Sequence, residues 1–348
     1  MRDDSVAVAK GIAIILMVMA HARCPLWWQH YISMFHMPLF FFMSGYCFKN
    51  TYLNDWQGFV KKRMKGVYWP FVKWSVIFLM LHNIFFFMNI YNDSYGFHGK
   101  VSELYSLHDY VQRLKMIFVS MSGNEQLLGG YWFLKSLFFG SIIFYAIRKI
   151  ISSLLWGGGV LLLLSTILCY FNWIIPVFQL NDTDFLSSFF IMCGYLFKSY
   201  SLKIPTQWKW IVMCAVIVVV GTYYFHTTML AFDITNIFPY VVCSILGTMM
   251  LFGISKHIAL KKRRGTAILL YVGNYTFNIL TWHLLSFKVL SLVIICVYGL
   301  SSKRLAEFPV IEEYAHQGWW VLYMMVGVAL PLIRTCYYHK IRNTQMPT

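Results

Sequence analysis

Lys10, His21, His36, Lys73, His82, Lys135, His283 and Lys288 all stand inside apolar stretches of this sequence. Within hydrocarbon an ionisable side chain costs several kcal/mol unless it faces the interior of a helix bundle or water, so each is a candidate for function. Histidine, with an ordinary pKa of about 6.5, is the natural acid–base group near neutral pH. Lysine attracts a phosphate or carboxylate as a point charge. His21, His36 and His283 could together hold zinc, but their spacing does not select that arrangement, and no metal is expected. Each histidine could equally be a hydrogen-bonded packing residue between helices. The chain has no G-x-S-x-G elbow, no H-E-x-x-H pair and no glycine-rich phosphate loop.

The elements that must position these residues follow from composition. Of 348 residues 59% are hydrophobic and 12% charged, against about 25% charged in a soluble domain. A soluble fold could not cover its surface with so few charges. The fold class expected is therefore all-α, a polytopic membrane helix bundle forming a single integral membrane domain over 1–348 with no fused soluble domain. The net charge of +16 does not signal nucleic acid, because the cations sit in short clusters between apolar runs. The eight cysteines show no C-x-x-C spacing and read as small apolar residues.

Stretches of about 20 apolar residues can cross a bilayer as helices. Ten are expected: 6–24, 33–49, 67–91, 130–147, 155–176, 185–199, 209–226, 234–254, 267–298 and 318–338. Lys and Arg alternate between connections. One set holds Arg2, Lys61–Lys65, Arg148, Lys149, Lys198, Lys203, Lys209, Lys256, Lys261–Arg264, Arg334, Lys340 and Arg342. The opposite set is rich in Asp and Glu. The positive-inside rule then places both termini in the cytoplasm. The connection at about 92–129 becomes an extracytoplasmic loop, with an amphipathic helix over 108–121 that puts Val111, Leu114, Ile117 and Phe118 on one side. In this topology Lys10 is near the cytoplasmic end of the first span, with His21 about 16 Å further along it. His36, Trp132 and Lys135 lie at the same outer level, and His283 lies past the midpoint of the ninth span. Lys73 and Lys288 are expected to snorkel to the interfaces.

Several stretches resemble the membrane acyltransferase-3 family. Lys10-Gly-Ile-Ala-Ile-Ile-Leu through His21 is similar to its first helix, although the family's usual cation there is arginine. Phe35-His-Met-Pro-Leu-Phe-Phe-Phe-Met-Ser-Gly-Tyr46 resembles its second helix, in the flavour of fucose 4-O-acetylase-like members and surface polysaccharide O-acetyltransferases. Phe59-Val-Lys-Lys-Arg63 with Trp69-Pro70 resembles its basic cytoplasmic loop, Tyr131-Trp-Phe-Leu134 its tryptophan motif, and Gly273-Asn-Tyr-Thr-Phe through His283 a late helix. The segments fall in the family's order over about 270 residues. The resemblance implies a multi-pass enzyme of a bacterial plasma (inner) membrane, an acyltransferase moving an acetyl or other acyl group from cytoplasmic acetyl-CoA. The acceptor implied is a sugar hydroxyl on a surface polysaccharide or a lipid-linked oligosaccharide. A transporter or flippase for a lipid-linked sugar is the competing reading.

Hydroxyl acylation needs a base, a group to orient it, and donors for the developing oxyanion. His21 is the expected base; His36 and His283 are candidates to orient it, hold the acceptor or stabilise the oxyanion. No serine or cysteine is marked well enough to argue for a covalent acyl-enzyme. Lys10, Lys61, Lys62, Arg63 and Lys65 offer charge to the phosphates of acetyl-CoA, and Ser44-Gly45 a small groove for its thin arm. Trp132 and Lys135 are expected to line the acceptor's pocket. A basic cytoplasmic mouth, a narrow polar tunnel and an aromatic-rimmed outer cleft should result.

Overall fold

The computed structural model describes residues 3–95, 101–261 and 263–344, with side chains as far as residue 337. Arg2, Lys262 and part of the expected loop (96–100) lie outside the described residues, as do the side chains of Lys340 and Arg342. The chain is all-helical, 77% helix with no strand among the described residues. In chain order the helices are α1 Asp4–His21, α2 Leu26–Ser33, α3 His36–Tyr46, α4 Trp56–Arg63, α5 Trp69–Met80 and α6 His82–Phe87. Then come α7 Leu107–Ser120, α8 Trp132–Ile150, α9 Leu154–Phe171, α10 Asp182–Ser199 and α11 Trp208–Tyr224. The last are α12 Ile237–Leu260, α13 Arg264–Asn274, α14 Thr276–Tyr298, α15 Glu312–Tyr314 and α16 Trp320–Thr344.

Among the described residues six segments are long and apolar enough to cross a membrane: Asp4–His21, Gln126–Ile150, Leu154–Phe171, Ile237–Leu260, Thr276–Tyr298 and Glu312–Tyr337. The remaining expected spans are helical but differ in shape. The segment 33–49 yields only the 11 residues of α3, and 67–91 breaks at Leu81 between α5 and α6. The long run 267–298 is two helices, because Tyr275 (φ −113°, ψ 24°) leaves helical geometry between α13 and α14. His283 is therefore the eighth residue of α14, about 10 Å from its start, and not past the midpoint of a longer span. Hydropathy could not see this break, since both pieces are apolar.

Local signals explain several helix starts. The Asp3 carboxylate accepts from Ser5 N at 3.0 Å at the head of α1. Capping boxes open α7 (Ser106 with Asp109) and α10 (Asn181 with Asp184). Helix α7 realises the expected amphipathic segment, but only part of its apolar side is covered. Ile117 is fully buried, whereas Val111 and Phe118 stay exposed.

Two apolar cores build the bundle. One gathers Ile14, Met17 and Val18 of α1 with residues of α5, α8, α14 and α16; the other gathers Ala9 and Ala13 of α1 with α3, α10, α11 and α12. Helix α1 is thus a wall common to both. Helices α3 and α10 cross so closely that a Cβ on Gly45 would collide with the Ile191 carbonyl, and one on Gly194 with the Phe42 carbonyl. Gly45 is consequently a packing residue, not part of a passage. Lys288 does not snorkel: it is 4% exposed, and its ammonium donates to the Glu307 carbonyl oxygen at 2.5 Å.

Candidate active site

Three cavities lie in series, the second and third along the seam between the two cores. The first, about 210 Å³, is lined by Ser44, Cys47, Phe48, Tyr52, Phe59, Lys62 and Arg63. It shares Ser44 and Cys47 with a second cavity of about 310 Å³, which Lys10, Ile14, Met43, Phe133, Leu137 and Thr276 help to line. Met17, Met37 and Leu280 line both this chamber and a third of about 190 Å³. That third chamber holds His21, His36, Trp132, Ser33 and Thr228.

The first cavity is a basic mouth. Arg63 donates from Nη2 to Ser44 Oγ at 3.0 Å, and its guanidinium lies over the Phe59 ring. Lys62 Nζ donates to the Tyr52 hydroxyl at 3.1 Å. Arg63 presents several N–H donors in a planar fork, of which Ser44 takes one, so the mouth suits phosphate oxygens. Lys61 and Lys65 are exposed and do not line it. Lys10 lines the middle chamber one step further in. There the backbone is locally rewound: a π-helical turn over Met64–Tyr68 brings Gly66 and Val67 into the wall. The wall is chiefly Met, Phe, Leu and Ile, with Ser44, Thr276 and Lys10 as polar points. The expected polar tunnel is an apolar one, because each helix facing the seam turns core side chains toward it.

His21 and His36 line the third chamber and His283 backs His21; hydrogen bonds assign the ring protons of all three. His283 Nδ1 sits 3.0 Å from the carbonyl oxygens of both Ile279 and Leu280. A carbonyl only accepts, so Nδ1 carries the proton and Nε2 of the neutral ring is an acceptor. His21 Nδ1 lies 2.8 Å from that Nε2 and therefore donates to it, which leaves the lone pair of His21 on Nε2. His36 is fixed in the same way. Its Nδ1 donates to the Ile32 carbonyl oxygen at 2.7 Å, leaving Nε2 as an acceptor. His283 is fully buried, whereas His21 is only half-buried, at the last residue of α1. The chamber is thus lined by two rings with acceptor nitrogens, His21 held by His283 and His36 held by a backbone carbonyl.

Around them, Trp132 supplies a flat ring and an indole N–H, while the Ser33 hydroxyl is committed to the Gln29 carbonyl at 2.7 Å. Behind the site Tyr131 and Thr281 hydroxyls lie 2.9 Å apart, tying the head of α8 to α14. Lys135 does not join the chamber. Its ammonium donates to the Gln179 carbonyl oxygen at 2.5 Å and pairs with Asp184 at 3.7 Å. Asp184 in turn accepts from Ser136 Oγ at 2.7 Å. Depth along a span does not give a side chain's direction around α8. His82 likewise is consumed elsewhere, in a buried pair with Glu125 at 2.8 Å. Sequence reasoning missed Met17, Met37, Leu280 and the Thr228–Leu230 loop. No composition signal separates these from ordinary core and loop residues. Among the described residues no three His, Cys, Asp or Glu side chains form a metal-holding set.

The acyltransferase-3 family model, an acyltransferase domain, matches residues 3–336, nearly the whole chain. No curated protein and no solved structure gives a match.

Proposed function

The chain belongs to the acyltransferase-3 family, and on that premise we propose that it is an O-acetyltransferase working across the membrane. It carries an acetyl group from cytoplasmic acetyl-CoA to a sugar hydroxyl of an extracytoplasmic or lipid-linked glycan. The observation that carries this reading is the relay Ile279/Leu280 carbonyls, His283, His21, which presents a basic nitrogen to a chamber connected in series with a cationic mouth.

Arg63 and Lys62 hold the donor's phosphates at the mouth, where leaving water is least costly. Lys10 adds charge at the inner end of the middle chamber, through which only the thin thioester-bearing arm passes. The His21 ring is about 16 Å further along α1. His21 Nε2 accepts the proton of the sugar hydroxyl as its oxygen attacks the thioester carbonyl. The new C–O ester bond forms, the C–S bond breaks, and His21 returns the proton to the departing sulfur, so CoA leaves as a free thiol. His283 keeps His21 in the tautomer this step requires. Its Nε2 lone pair also stabilises the imidazolium through the Nδ1–H bond already made. His36, as an acceptor, holds a second hydroxyl of the sugar; with its proton on Nδ1 it is not an oxyanion donor. The Trp132 indole N–H serves as the donor for the developing oxyanion, and its ring offers a face for the sugar.

The test is His21→Ala in the full-length protein. Acetyl transfer to the host's surface glycans, followed as a mass increment, should fall by at least about 10²-fold, while binding of acetyl-CoA to the purified chain persists. A variant that acetylates normally removes His21 from the reaction.

A further inference from the structure

The middle and outer chambers meet at three side chains, Met17, Met37 and Leu280, which line both. All three are buried, at 3%, 8% and 6% exposure. Each belongs to the same helix as one of the three histidines. Met17 is one turn before His21 on α1, Met37 follows His36 on α3, and Leu280 is one turn before His283 on α14. Three helices therefore each contribute one imidazole and, on its donor side, one apolar side chain. Leu280 is also held from behind, since a Cβ on Gly130 would stand 2.8 Å from its Cδ1. Its own carbonyl accepts from His283 Nδ1.

We infer that Met17, Met37 and Leu280 form a gate that sets the length of the acyl group passed to His21. The inference rests on the acyl-transfer reading and goes beyond it to substrate selection. Any thioester reaching Nε2 of His21 by the series of cavities must carry its acyl group between these three side chains. Beyond them, a chamber of about 190 Å³ must accommodate the acyl carbonyl and the attacking hydroxyl together. Methionine suits the position: an unbranched, flexible thioether yields to a small group without leaving a permanent hole. A two-carbon acyl group passes, and each further methylene meets the sulfur and methyl ends of Met17 and Met37. The chemistry is the balanced step given above, with the sugar oxygen displacing the CoA sulfur at the acyl carbon whatever the chain length.

The test uses membrane vesicles from cells expressing the full chain, with thiol release measured from acetyl-, propionyl- and butyryl-CoA. Met17→Ala and Met37→Ala, on two different helices, should each raise butyryl-CoA consumption relative to acetyl-CoA by about tenfold or more, as expected for methylene discrimination in an apolar pocket. Met43→Ala, which enlarges only the middle chamber, should leave that ratio within about twofold, separating a gate from general loosening. Size-exclusion profiles establish that each variant is folded, and Met17→Leu, close in volume, should keep the wild-type ratio. If both alanine variants consume acetyl-CoA with an unaltered chain-length profile, the gate is wrong and the acyl-transfer reading stands. If the wild-type chain releases no thiol from any of the three donors, the acyl-transfer reading fails and the gate with it.

Discussion

Replacing His283 separates a catalytic relay from a packing contact. In the structure His21 Nδ1–H has one partner, the His283 Nε2 lone pair at 2.8 Å. That lone pair exists on Nε2 because two backbone carbonyls hold the other ring proton at 3.0 Å. His283→Ala removes the acceptor and leaves the His21 Nδ1–H without its protein partner, a loss of about 1–3 kcal/mol. The tautomer carrying the proton on Nε2, which cannot act as a base, is then no longer disfavoured. At about 1.36 kcal/mol per factor of ten, kcat should fall roughly 5- to 150-fold. The KM for acetyl-CoA should hold, since Arg63 and Lys62 are untouched. His283→Gln offers a carbonyl oxygen to the same N–H and should recover much of the lost rate. A purely structural role for His283 would not give that ordering. The assay is thiol release from acetyl-CoA by the full chain in vesicles, as a function of pH. Wild-type activity should fall on the acid side, where protonation consumes the Nε2 lone pair. An alanine variant within about twofold of the wild-type kcat, or a glutamine variant no better than alanine, would refute the relay.

Two further substitutions probe the scaffold. Gly45→Ala drives a methyl group into the Ile191 backbone at the α3–α10 crossing; because backbone cannot turn aside, a destabilisation of about 1–3 kcal/mol or more is expected, seen as a lowered melting temperature and poor recovery from membranes. Lys135→Ala leaves the buried Asp184 carboxylate without its cation. It should cost about 3–5 kcal/mol of stability, while acyl-CoA consumption per folded molecule stays at the wild-type level; a selective loss of activity would return Lys135 to the acceptor site.

How far the site could be read from sequence depended on the kind of information each residue carries. His21, His36 and His283 were conspicuous because a charge-bearing group in an apolar run is expensive anywhere in hydrocarbon, a property of composition alone. Arg63 and Lys62 were marked by their cluster, but Lys61 and Lys65 in the same cluster do not line the mouth. Helical rotation about α4 and the π turn that follows decides which cations face the mouth. Ser44 and Gly45 were read together as a groove, yet adjacent residues on a helix point about 100° apart. One lines the first two cavities and the other meets α10.

The membrane class, the helical character and the family of this chain were determined by its sequence, since hydropathy, charge distribution and motif order are summed along the chain and need no partner. Tertiary structure alone decided the tautomers of the histidines, the break at Tyr275, the turning of Lys135 toward Asp184 and the joining of three cavities in series. Each of these depends on which groups from distant segments meet. A carbonyl at Leu280 gives His21 its basic nitrogen only because α1 and α14, 262 residues apart at their histidines, are packed side by side.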